Sequence, residues 1–226
     1  MNEIEKNKTL DIGHSKFDAG RFLRTGIPEA IYAPGKTATQ CFDLVSLLLA
    51  KEDHPVIVTR ADKEQIESLM RLNPEAVLGT TLTWRHQKKT YPNSVAIISG
   101  GTADQFVGEE CKSSLLAMGA DAIEYKDVGV AGLQRLLAVV PEISPKSIVI
   151  AIAGMEASLP TVLGGLIGNP IIAVPTSTGY GVSFEGVTAA LSVLSSCSPG
   201  LSIVGIDNGY GAACAAIRLL KNKSYE

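Results

Sequence analysis

Residues 147–160 read SIVIAIAGMEASLP. An unbroken apolar run ends in a glycine, and an acid and a serine then precede a second apolar run, SLPTVLGGLIG, with helical character. A strand that is apolar at every position, rather than at alternate ones, is buried on both faces, as happens in a parallel sheet covered by helices. The same unit recurs on either side. Upstream, VAIISG leads through GTAD to a helix ending in LLAMG, and AIEYKDV leads to AGLQRLLAVV. Downstream, PIIAVPT leads through a glycine-rich loop to EGVTAALSVLSS, and LSIVGID leads through NGYGA to ACAAIRLLK. Five βα units in series predict an α/β fold, a doubly wound, flavodoxin-like three-layer sandwich over residues 94–226.

In such sheets, sites lie just beyond the carboxyl ends of the strands. Here those ends read SGGTAD, KDVGVAG, AGMEASLP, VPTSTGYGVSFEG and IDNGYGA, and all are rich in Gly, Ser and Thr. Small residues let backbone N–H groups approach a ligand, and helix N-termini add partial positive charge. The pattern therefore predicts an anionic, phosphate-bearing ligand. Ser99, Gly100, Gly101, Thr102 and Asp104 are read either as a plain strand-to-helix turn or as a phosphate cradle. Gly154, Met155, Thr176, Ser177, Gly179, Tyr180 and Gly181 belong to the same predicted edge, as does Asp127. Glu156 is either an ordinary acid at a helix start or a general base whose pKa is raised by partial desolvation in a glycine-lined mouth. Asp127 and Asp207 read first as acceptors for loop amides. Mg²⁺ needs only one or two carboxylates beside ligand phosphates, so Asp104 or Asp207 is its candidate ligand; no tightly bound cofactor is expected.

The three histidines, His14, His54 and His86, all precede residue 94. Proton transfer in the βα region must then use a carboxylate, a thiol or water. Of four cysteines, Cys41 and Cys111 sit in apolar helical stretches and read as inert fillers, and none forms a CxxC pair. Cys197, in SSCSPG, is either a small apolar residue closing a helix or a nucleophile set among hydroxyls near the sheet's active edge.

Before residue 94 the elements alternate without a catalytic cluster. Residues 1 to about 20 read as loosely ordered. A helix is predicted from about Thr39 to Leu49, then a strand PVIVT, a helix ADKEQIESLM and a strand EAVLGTTLTW. The polar run RHQKKTYPN marks a boundary, giving a smaller N-terminal α/β region (1–93) and a catalytic domain (94–226). The 226 residues are 46% hydrophobic, enough for a sizeable core, and the net charge of −3 without a basic run argues against nucleic acid. No stretch approaches 18 consecutive apolar residues, so no membrane span is expected, and a charged start without an apolar core predicts a cytoplasmic protein.

The stretches SGGTAD, YKDVGVAGLQRLL, IAGMEASLPTVLGGL, VPTSTGYGVSFEGVTAALSVLSSCSPG and IDNGYGA resemble the PurE-type fold of aminoimidazole ribonucleotide carboxylases. They are closer still to the LarB family of nickel-pincer cofactor biosynthesis, whose lead-in RTGIPEAIYAPGKT resembles. That resemblance implies a PurE-like catalytic domain acting on nicotinic acid adenine dinucleotide. CO₂ or bicarbonate would be the carboxyl donor, and AMP and pyridinium-3,5-biscarboxylate mononucleotide the products. It implies that Cys197 is the nucleophile and Glu156 the base, and that the chain forms an octamer, for which SLPTVLGGLIG and ACAAIRLL offer apolar contact faces; Trp84 is read separately as a candidate for ring stacking. PurE enzymes carry a histidine where Ser158 stands, and another where the DVGVAG loop stands. The resemblance therefore does not imply their ordinary purine activity.

Overall fold

The computed structural model describes residues 8–223. It divides into two compact units, one running to residue 88 with 116–119 added, the other comprising 89–115 and 120 onward.

The first unit begins with an antiparallel pair, β1 (Leu10–Asp11) and β2 (Lys16–Phe17), which buries Leu10 and Phe17. Residues 8–20 are thus more ordered than their polar composition predicts. Then come α1 (Arg21–Thr25), β3 (Ile31–Tyr32), α2 (Ala38–Lys51), β4 (Val56–Thr59), α3 (Lys63–Leu69), β5 (Ala76–Leu78) and β6 (Thr81–Trp84). The sheet order is β3-β4-β6-β5, with only β3 and β4 parallel. Capping boxes start both longer helices, Thr37 with Gln40 and Asp62 with Gln65. EAVLGTTLTW is a hairpin rather than one strand, because Gly79 takes a φ of +56° and turns the chain between β5 and β6.

The second unit holds β7 (Tyr91–Ser99), α4 (Gln105–Ala117), β8 (Ala120–Tyr125), α5 (Leu133–Ile143), β9 (Ile148–Ala153), α6 (Ser158–Leu166), β10 (Ile171–Pro175), α7 (Val187–Leu194), β11 (Leu201–Ile203) and α8 (Gly209–Lys223). Its five strands are all parallel, in the order β8-β7-β9-β10-β11. This is the flavodoxin-like 2-1-3-4-5 order, whose switch point lies between the first and third strands, here β7 and β9. Every residue of β9 and β10 is buried, which is why those segments read as continuous apolar runs.

Leu136 and Ile143 of α5, Leu159 and Leu163 of α6, and Ala189 and Val193 of α7 pack with Ala96, Val149 and Ala173 on one face. The other face carries α4 and α8, tied where the Tyr210 amide donates to Glu110 Oε1 at 2.9 Å. Among the described residues no helix is long and apolar enough to cross a membrane.

Candidate functional site

An open cavity of about 390 Å³ lies at the switch point, within the size range of small-molecule sites. Four strand-end loops line it: Gly100–Asp104 after β7, 127–131 after β8, 153–159 after β9, and Thr178 after β10.

Two glycines let these loops approach one another. A Cβ on Gly129 would stand 2.6 Å from the Gly100 carbonyl, and one on Gly154 would stand 2.2 Å from the Thr178 carbonyl. The Met155 amide donates to that same Thr178 oxygen at 2.8 Å. Asp127, Met155 and Ala157, all lining the cavity, take left-handed φ of +56°, +54° and +48°. For non-glycine residues this conformation costs on the order of 1–3 kcal/mol each and persists where the surroundings impose it, commonly at functional sites.

Asp104 anchors the edge. It is buried; its Oδ1 accepts the Thr176 hydroxyl at 2.6 Å and its Oδ2 accepts the Gly101 amide at 2.9 Å. Each oxygen thus helps to fix the loop after β7 to the end of β10. Asp207 Oδ1 accepts the Ser177 amide at 2.8 Å, and among the described residues no group of three or more His, Cys, Asp or Glu side chains is placed to hold a metal ion. Asp127 is ion-paired, accepting from Arg135 Nη1 at 2.6 Å.

Glu156 lines the cavity and its Oε1 accepts the Ser158 hydroxyl at 2.9 Å. Its side chain is exposed, so the expected desolvation is not met within one chain; the αL turn at Met155 and Ala157 swings it outward at the start of α6. With Asp104 and Asp127 it makes three carboxylates around the cavity, and no lysine or arginine is among the residues lining it. Within this chain an anion here would rely on backbone amides and helix N-termini, while a cationic ring would meet complementary charge.

Of the residues expected at the site, Gly100, Gly101, Thr102, Asp104, Asp127, Gly154, Met155 and Glu156 line the cavity. Ser99 and Thr176 lie behind it, buried. Ser177, Gly179, Tyr180 and Gly181 are exposed on the same sheet edge without lining it. Cys197 is exposed and does not line it either. It sits in the connection from α7 to β11, where α7 has run back across the sheet. Leu201, just after it, pairs with Ile171 at the amino-terminal start of β10. The thiol thus leads toward the opposite edge from the one expected.

Ser196 and Ser198 clamp this loop to α6, sharing a hydrogen bond with Thr161 Oγ1 at 2.7 Å and donating to the Thr161 carbonyl at 2.7 Å, respectively. By contrast, burial pushes the Cys41 and Cys111 thiols up, as inert fillers require. Trp84 is buried, its indole donating to the Leu72 carbonyl at 2.9 Å, so it has no face to offer a ligand. Gly129 and Thr178 also line the cavity, although the sequence reading does not single them out by position. A place in the glycine-containing DVGVAG strand-end loop is the signal for the first.

A family model described as LarB/PurE-like N-terminal domain matches residues 9–84, and one described as AIR carboxylase matches residues 94–226. An uncharacterized protein of Methanocaldococcus jannaschii is 34% identical over 233 residues, covering 96% of this chain and 90% of that one. The N5-carboxyaminoimidazole ribonucleotide mutase of the same organism is 35% identical over 134 residues, covering 57% of this chain and 80% of the mutase.

Proposed function

The chain belongs to the LarB family of PurE-like carboxylases, and from that premise we propose that it carboxylates the pyridinium ring of nicotinic acid adenine dinucleotide and hydrolyses the phosphoanhydride. The products are pyridinium-3,5-biscarboxylate mononucleotide and AMP. The observation that carries this reading is a switch-point cavity holding Glu156 and two further carboxylates, in a domain without a single histidine. Asp127 is paired with Arg135, so it is the charge on Glu156 and Asp104 that favours a cationic ring over an uncharged one.

The chemistry assigns each group a step. A pyridinium is too electron-poor to attack CO₂. A thiolate adding to the ring uses its own electron pair to form a C–S bond, and the ring becomes an enamine-like dihydropyridine. Ring carbon 5 then attacks the carbon of CO₂, forming the C–C bond and returning the ring nitrogen to an iminium. Glu156 takes the proton from carbon 5, the freed pair re-forms the ring double bond, and departure of the thiolate restores the aromatic pyridinium. Ser158 holds the Glu156 carboxylate by its hydrogen bond. Water then cleaves the phosphoanhydride. Cys197 is the thiol this reading assigns.

Incubation with nicotinic acid adenine dinucleotide and bicarbonate, followed by mass spectrometry, tests the proposal. AMP and a dicarboxylated mononucleotide are expected, and their absence overturns it. The resemblance to the mutase favours a second reading, which the same assay checks with N5-carboxyaminoimidazole ribonucleotide. Turnover of that compound would displace the first reading.

A further inference from the structure

Away from the parallel sheet, the first unit holds a cavity of its own. It measures about 320 Å³ and opens between Phe22 of α1, the end of α2 and residues 52–54. His54 forms part of its wall and is buried, its side chain only 6% exposed. The Pro55 carbonyl lies 2.9 Å from Nδ1, so Nδ1 carries the ring proton and donates it there. The Phe22 ring, its centroid 5.1 Å from that of the imidazole, holds it in this orientation. Nε2 keeps its lone pair. Among the described residues it has no hydrogen-bond partner, and the atom it faces, at 4.0 Å, is Glu52 Oε2. Oε1 of that carboxylate accepts the Lys8 ammonium at 2.6 Å, and Oε2 is a second acceptor. Two acceptors set face to face in a mostly buried place call for a Lewis acid between them.

We propose that Glu52 and His54 together bind a divalent transition-metal ion of the zinc class. Imidazole and carboxylate are ligand types that such ions take. An imidazole that ligates through one nitrogen commonly gives its other N–H to a backbone carbonyl, as His54 does to Pro55. With metal–ligand bonds of about 2.0–2.2 Å, two donors of a tetrahedral ion stand roughly 3.4 Å apart. The 4.0 Å gap therefore narrows by about 0.6 Å on binding, a small turn of the Glu52 side chain. The ion lies at the C-terminal end of α2, whose last carbonyls carry partial negative charge. Among the described residues no third side chain of ligating type is grouped with the pair, so water from the open cavity fills the remaining positions. Such a site is exchangeable rather than structural. Lys8 and Lys51, which line the cavity, oppose a cation, and Asp53 is drawn to Arg85 Nη1 at 3.6 Å. The Lys8 ammonium competes directly for the Glu52 carboxylate, so removing it should strengthen the site.

Calorimetric titration of the chelator-treated full chain with zinc chloride tests this. Cys197→Ala is the background throughout, because an exposed thiol takes zinc by itself. His54→Gln and Glu52→Gln should each weaken one site per chain by more than about tenfold. His14→Gln, which alters an exposed imidazole outside the cavity, should leave that site unchanged. Lys8→Met should tighten it by about 2–5-fold, the strength of a partly exposed ion pair. With Cu²⁺ as the probe, electron paramagnetic resonance should show coupling to one imidazole nitrogen, and His54→Gln should remove it. Circular dichroism checks each variant, and Glu52→Gln decides the matter if His54→Gln does not fold. No zinc bound to the background chain, as expected if a proton on Nε2 closes the gap instead, overturns the proposal. So does binding that is indifferent to both His54→Gln and Glu52→Gln, or binding weakened by Lys8→Met, which would place the ion elsewhere.

Discussion

The carboxyl edge of the parallel sheet and the flank formed by α7 and the Cys197 loop are built on opposite principles. At the edge, backbone is forced into left-handed corners at Asp127, Met155 and Ala157, and a buried carboxylate, Asp104, fixes two loops at once. On the flank, hydroxyls of Ser196, Ser198 and Thr161 hold a loop to a helix while apolar side chains face outward. The edge is held in place by strained backbone and buried hydrogen bonds; the flank leaves its apolar side chains facing outward. The contrast also separates carboxylates by role. Asp104 has both oxygens committed and is architecture, whereas Glu156 is exposed with one hydroxyl partner and is available for proton transfer.

That separation can be broken by substitution. Glu156→Gln removes the base and should lower turnover by about 10²–10⁴-fold, the usual contribution of a general base. Because the side chain is exposed, its thermal midpoint should stay close to that of the wild type. A midpoint that falls steeply would make Glu156 structural. Asp104→Ala should do the reverse, leaving the Thr176 hydroxyl and the Gly101 amide without their acceptor. The Thr176 hydroxyl is buried while the Gly101 amide faces the open cavity, so at about 1–3 kcal/mol for an unsatisfied buried group urea unfolding should show a loss of roughly 1–3 kcal/mol. Gly154→Ala comes next. Its Cβ would strike backbone at Thr178, which cannot rotate away, so about 1–3 kcal/mol of stability should go, and ligand affinity at the cavity should fall with it.

The fold was legible because its signal is local. Runs such as IVIAIA and IIAVP have one physical explanation, burial on both faces, and the glycine loops that follow mark the carboxyl edge. The membership of Glu156 in the cavity was legible for the same reason, since it follows β9 directly. Its exposure was not, because burial depends on what other elements cover. The position of Cys197 follows from topology and not from its neighbours in sequence: a helix that crosses back between parallel strands must deliver its C-terminal loop to the strand starts, whatever hydroxyls surround the thiol. Trp84 shows a second limit. An aromatic in a short strand reads equally well as ligand platform or core, and only the packing of β6 against Leu72 decides for core.

The smallest effect belongs to the flank. Thr161→Val keeps the volume of the side chain and removes the hydroxyl that Ser196 shares, while the Ser198 bond to the Thr161 carbonyl survives. One part-buried hydrogen bond is worth about 1 kcal/mol, which for a domain of this size shifts the thermal midpoint by roughly 2–4 °C. Ser196 can turn to water because the loop is partly open, so the expected loss lies at the lower end. The Thr176 hydroxyl bonded to Asp104 is fully buried and cannot turn to solvent, so equivalent surgery there should cost more. Equal losses at the two places would mean that the Cys197 loop is as rigid and as dry as the cavity floor. The contrast between a rigid edge and an open flank would then fail.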